Sequence, residues 1–109
     1  MPTASFRVYQ PVTHLLSAAD AGELKEWVTN SLQAGAKILL LDLSNVLFMD
    51  SRGLAVLIMA HKQARQMNSV LALCSAQEQV LMVLRLSNLT ELFPLYESVE
   101  DYQRVSANY

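Results

Sequence analysis

The sequence predicts an α/β fold with mixed α+β layering, in which helices cover a small sheet. Two observations carry this. Lys37 to Leu43 and Val70 to Cys74 are short, almost continuously apolar runs, as expected of strands covered on both faces. Between and around them lie segments with apolar residues one helical turn apart, so strand, helix and strand follow one another as in a parallel crossover.

Taken in order, Phe6, Val8 and Val12 to Leu16 make two short strands or one bulged strand, broken near Gln10 and Pro11, because proline has no amide for a central ladder. From about Ala21 to Ala34, Leu24, Trp27, Val28 and Leu32 recur at helical spacing, with Asp20 and Glu23 placed as a capping box and Gly35 as the stop. The run through Ile38 to Leu43 follows as a central strand. A connection, Ser44 to Asp50, leads to a helix from about Ser51 to Met67, and Asn68-Ser69 separates it from the strand at Val70. A third helix over Gln77 to Leu86, an extended piece over Pro94 to Glu97 and a helix starting near Ser98 complete the chain, with Ser98 and Asp101 spaced as a second capping box.

Composition bounds the function. The 109 residues are 52% hydrophobic and 17% charged, enough apolar content for one domain, here residues 1–109, with a real core. A net charge of −2 offers no field for gripping nucleic acid or an anionic membrane. One cysteine, Cys74, excludes an internal disulfide, and with two histidines it makes no zinc spacing, so neither metal nor cofactor is expected and a cytoplasmic setting is. The longest apolar runs are far short of the ~20 residues that cross a bilayer.

The segment Phe48-Met49-Asp50-Ser51-Arg52-Gly53-Leu54 falls at the carboxyl end of the central strand and the start of a helix, where open α/β sheets commonly meet ligands and partners. Asp50 suits an N-cap, and Gly53 would let another backbone approach the first turn. That much also describes any well-made helix start. The helix that follows, however, is apolar all round from Gly53 to Ala60, which one-sided burial on a sheet does not require. Either a second helix covers the extra face or part of it docks a partner.

Together, Leu41-Asp42-Leu43-Ser44-Asn45-Val46, then Phe48 to Leu54, then Leu89-Thr90-Glu91-Leu92-Phe93-Pro94 resemble the STAS domain of bacterial anti-sigma factor antagonists, over about Phe6 to Val105. The resemblance implies a small mixed sheet of four to five strands with about four helices. It implies that Ser51, the serine of Asp-Ser-x-Gly-Leu, is phosphorylated by a kinase of the histidine-kinase-like ATPase fold that doubles as the anti-sigma factor. Unphosphorylated chain would bind that kinase and free the sigma factor; phosphorylation would end binding, and a PP2C-type serine phosphatase would reset the switch. Binding would run through Asp50, Ser51, Arg52, Gly53 and Leu54, with Asp42 and Asn45 in the flanking loop. On this reading the chain is a monomeric regulator and substrate, not an enzyme. Two departures stand out: Arg52 replaces a second serine common in antagonists, and the stretch Tyr9 to Ser17 lacks a glycine often found there. The other reading keeps the fold but makes the chain an unphosphorylated structural subunit, for instance beside the ATPase of a lipid transporter.

A phosphate on Ser51 would add about −1.5 to −2 charges, comparable to the net charge of the whole chain. The helix dipole offsets some of this, by about 0.3 to 1 kcal/mol, so the fold should tolerate it. A serine hydrolase is not expected, since there is no Gly-x-Ser-x-Gly elbow and only His14 and His61 could act as bases. His61 reads as a helix-surface or partly packed residue rather than a ligand, Cys74 as a buried small hydrophobe, and Trp27, Met59, Met67 and Met82 as core.

Overall fold

The computed structural model describes residues 6–107. Its strands are β1 (Phe6–Tyr9), β2 (Leu15–Leu16), β3 (Ile38–Asp42), β4 (Phe48–Met49), β5 (Val70–Cys74) and β6 (Leu95–Tyr96). Its α-helices are α1 (Ala21–Gln33), α2 (Ser51–Gln66), α3 (Glu78–Leu86) and α4 (Val99–Ser106). One sheet has the order β1-β3-β5-β6, and β2 and β4 form a separate pair. The mixed α/β class with four helices is as expected. The strand directions differ from a mixed sheet, because every pairing among the described residues is parallel. Each connection from β1 to β3, β3 to β5 and β5 to β6 carries a helix back across the sheet, which returns the next strand in the same direction.

Strand β3 lies between β1 and β5, with Leu39 opposite Leu71 and Leu41 opposite Leu73. Leu39 and Leu41 join the main core with Leu24, Val28, Leu57, Ala64, Val80 and Leu84 from α1, α2 and α3. Leu40 points the other way, into a second cluster with Ala72, Cys74 and Tyr102, which α4 closes. Burial on both faces is why the strand has no polar alternation. Tyr102 holds that face through edge contacts with Phe6 and Tyr96, each at 5.1 Å between ring centroids.

Helices α1, α2 and α3 end by one device. At α1, Gly35 (φ 87°) follows the last turn, with the Gly35 amide donating to Leu32 O and the Ala36 amide to Ser31 O, both at 3.0 Å. Asn68 and Asn88 take the same left-handed position after α2 and α3, and the amides of Ser69 and Leu89 reach back to Ala64 O and Leu84 O. These paired hydrogen bonds satisfy carbonyls the helix itself leaves open. At the other end of α1 the expected cap sits one turn earlier. The Ser17 amide donates to the Asp20 carboxylate at 2.9 Å across a single 3-10 turn, Ala18–Asp20, and Glu23 instead accepts from the Tyr9 hydroxyl at 3.0 Å. At α4, Ser98 Oγ accepts from the Asp101 amide at 2.9 Å, but the Asp101 carboxylate reaches the amide of Glu97 rather than Ser98.

Several apolar residues expected inside are not. Met59, Met67 and Met82 are exposed, and Trp27 is half-buried at the edge, stacked on Tyr9 at 5.3 Å. The helical spacing is real, but α2 and α3 bury only one side; Met59 and Met82 fall on the other, and Met67 is the C-cap beyond the last turn of α2.

Candidate functional site

Asp50 is the N-cap of α2. Its carboxylate accepts from the Gly53 amide at 2.8 Å, and its carbonyl accepts from the Leu54 amide at 3.0 Å. Ser51 and Arg52 then occupy the first two helical positions, both exposed. The cap engages Asp50 and leaves the Ser51 hydroxyl facing solvent on an ordered turn.

Three neighbours hold that turn in place. The first is β2, which pairs with β4 at Leu15 to Phe48 and Leu16 to Met49. The His14 carbonyl accepts from the amides of Leu47 (2.8 Å) and Phe48 (3.0 Å), so the segment before Asp50 is pinned to the chain before α1. The sequence reading treats Ser44 to Asp50 as a plain connection and misses β4. A two-residue strand shows no alternation, and its partner is remote in sequence.

The second neighbour is the backbone of Leu16 against Gly53. A Cβ at Gly53 would lie 2.0 Å from Leu16 O and 3.0 Å from Met49 Cγ. Close backbone approach is what the sequence anticipates for this glycine. The approaching chain is the protein's own, and Gly53 is buried by it, so the site offers no surface at residue 53 itself.

The third is Gln79 of α3, which sequence reasoning does not single out. Its Oε1 accepts from the Met49 amide at 2.8 Å and its Nε2 donates to Met49 O at 3.2 Å. The side-chain amide takes the place of a further strand along the free edge of β4. Two residues earlier, Gln77 Nε2 donates to Ser44 O at 2.6 Å, while Gln10 Nε2 donates to Ser44 Oγ at 2.7 Å. The start of α3 thus clasps both ends of the connection between β3 and α2. In that connection the Asp42 carboxylate accepts from the Ser44 amide at 3.0 Å and shapes a turn, with Asn45 exposed at its tip.

Leu15 and Phe48 stand opposite one another on the β2 and β4 pair, exposed at 48% and 56%, with Leu47 also exposed beside them. Leu54 is half-buried against the core. The corner before Ser51 therefore carries an uncovered apolar patch, as a protein-binding surface would.

Other candidates resolve simply. His61 lies ten residues along α2 from Ser51, about 15 Å at the helical rise, and packs edge-on against Phe93 at 5.5 Å. Burial, with help from Arg65, lowers its pKa. Cys74 is fully buried. No group of metal-ligating side chains occurs among the described residues, and no helix there is long and apolar enough to cross a membrane.

The sequence profile of the STAS domain matches residues 7–102. The chain belongs to the STAS domain family. A Bordetella bronchiseptica protein named as an anti-sigma factor antagonist, BtrV, is 29% identical over 86 residues, spanning 79% of this chain and 74% of its own length. The crystal structure of a Thermotoga maritima protein named as an anti-sigma factor antagonist superposes with a TM-score of 0.76 at 27% identity, over 97% of this chain and 93% of that one. A sulfate transporter family protein of Wolinella succinogenes shares the fold at a TM-score of 0.80 with 14% identity, over 95% and 88% of the two chains. The same STAS fold thus occurs in regulators and in transporters, and the site has to decide between them.

Proposed function

We propose that this STAS domain is an anti-sigma factor antagonist whose partner binding is switched by phosphorylation of Ser51. The observation that carries the reading is the exposed serine directly after the capping aspartate, on a helix start held by Leu16, Gln79 and its own cap. A kinase needs an accessible hydroxyl on ordered backbone, and this corner supplies both. The names of the Bordetella and Thermotoga relatives support the same reading.

The partner, an anti-sigma factor that is also a serine kinase of the histidine-kinase-like ATPase fold, docks on Asp50, Ser51, Arg52 and Leu54 and on the adjoining loop at Asp42 and Asn45. Gly53 contributes by letting the helix start sit close on β2. A PP2C-type phosphatase restores the serine. Burying a phosphate beside Asp50 in an apolar interface costs several kcal/mol if unpaired, and about 4 kcal/mol weakens binding roughly a thousandfold. The chain acts as switch and substrate, catalysing nothing itself.

Incubation with ATP and the cognate kinase should label the wild type and leave Ser51→Ala unlabelled; equal labelling of both overturns the proposal. In pull-downs, a histidine-kinase-like ATPase should be recovered by wild type and Ser51→Ala and lost with Ser51→Asp. A transporter ATPase retained by all three would make the chain a structural subunit instead.

A further inference from the structure

Along the flank of α2 that faces α1, the two helices leave an open groove of about 720 Å³ running from Ala18 and Arg52 to Gln66. Its floor is apolar and built largely of small residues, including Ala21, Ala55 and Ala60, with Leu24 and Val56, and Met59 stands beside it at 66% exposure. Part of the all-round apolar character of α2 is therefore neither sheet contact nor covered by α1.

The charges around this groove are of one sign. Lys25 lines it from α1, and Arg52 and Lys62 from α2, with no carboxylate among the lining residues. Three of the eight Lys and Arg residues of a net-negative chain gather here. The ion pair found among the described residues, Arg104 with Asp101, lies elsewhere and leaves these three uncommitted.

We infer that this groove docks an acidic amphipathic helix of a partner protein, with its apolar stripe on the alanine floor and carboxylates toward Lys25, Arg52 and Lys62. The placement of the cations selects this occupant. Arg52 and Lys62 are ten residues apart on α2, about 15 Å, and Lys25 stands on the opposite wall. A single anionic headgroup on an acyl chain reaches one of them, whereas a helix with acidic residues on both sides of an apolar stripe reaches all three. Small floor residues let a third helix approach closely, and an exposed methionine adapts to its side chains. The inference is independent of whether Ser51 is phosphorylated.

The test uses the full chain, isotope-labelled for NMR, and a synthetic helix of about five turns with leucines at helical spacing flanked by glutamates. Saturable shifts should centre on Ala55, Val56, Met59 and Lys62, binding should weaken with salt, and the double reversal Lys25→Glu with Lys62→Glu should reduce affinity at least about tenfold. Both substitutions are at exposed positions, and an unchanged amide spectrum of the free variant confirms that it folds. Equal binding of a control helix with lysines for glutamates overturns the inference. So does an unaffected double variant, a set of shifts centred on Phe48 and Ser51, concentration-dependent pairing of the free chain through this groove, or tighter binding of dodecanoate than of the acidic helix.

Discussion

The carbonyl oxygen of Leu16 occupies the place where Gly53 would carry a side chain: a Cβ there would lie 2.0 Å from it. That contact joins the chain before α1 to the first turn of α2, and with it the turn that presents Ser51.

Gly53→Ala should therefore be costly, since a backbone carbonyl cannot swing aside as a side chain can. Forcing the two segments apart is expected to destabilise by about 1 to 3 kcal/mol or more. Gly22→Ala on α1, where a Cβ meets nothing within 4 Å, should instead gain about 0.4 to 1 kcal/mol. Urea midpoints of the two variants check this, and a neutral Gly53→Ala would refute the packing argument.

Gln79 holds β4 through both bonds to Met49. Gln79→Ala should cost about 1 to 3 kcal/mol, the price of leaving part-buried backbone groups unpaired. Gln79→Glu keeps the acceptor and loses the donor, so it should fall between. Hydrogen exchange at the Met49 amide should rise in the alanine variant and much less in the glutamate variant.

Stability and binding should separate at Ser51. A negative charge at the first position of α2 meets the positive end of the helix, so Ser51→Asp should stabilise by about 0.3 to 1 kcal/mol, and Ser51→Lys should destabilise by a similar amount. Denaturation curves read the sign. A Ser51→Asp chain that unfolds more readily than wild type would mean that loss of partner binding reflects loss of fold.

Burial, followed by the charge of Asp42, pushes the Cys74 thiol up to about 11 from an ordinary 9.0. As pH rises the unfolded chain releases this proton first and then binds fewer protons than the folded one, so stability falls through that window and the contribution is intact below it. Burial also raises the hydroxyls of Tyr9 and Tyr102 above 10.0, so they add to the decline near and above pH 10, and the cysteine's share is greatest between about pH 9 and 10. The urea midpoint of the wild type should decline across that interval and that of Cys74→Ala should decline less; a flat wild-type profile contradicts the assignment.

How far the sequence could be read follows from the range of the interactions involved. Strands β3 and β5 are legible because burial on both faces leaves a continuous apolar run, and α1, α2 and α4 because turn spacing and capping residues are local signals. Asp50 as a cap belongs to the same class, since the bond it accepts comes from three residues on. The methionines mislead because helical spacing says that a residue lies on a stripe without saying which stripe faces the core. Strand β4 and Gln79 escape because a two-residue pairing and a side chain standing in for a strand leave no periodicity.

By itself the sequence determined the alternation of elements, the apolar sheet, the serine after the capping Asp50 at the head of α2 and the resemblance that the STAS profile bears out. These rest on contacts within a few residues of one another or on composition along a single strand. Tertiary structure alone decided that β1 and β6 also run parallel to their neighbours, that Gly53 serves the chain's own Leu16, that Gln77 and Gln79 clasp the loop before Ser51, and that Lys25, Arg52 and Lys62 share one groove. Each of those facts joins residues far apart in the chain, and only the packing of helices on the sheet brings them within reach.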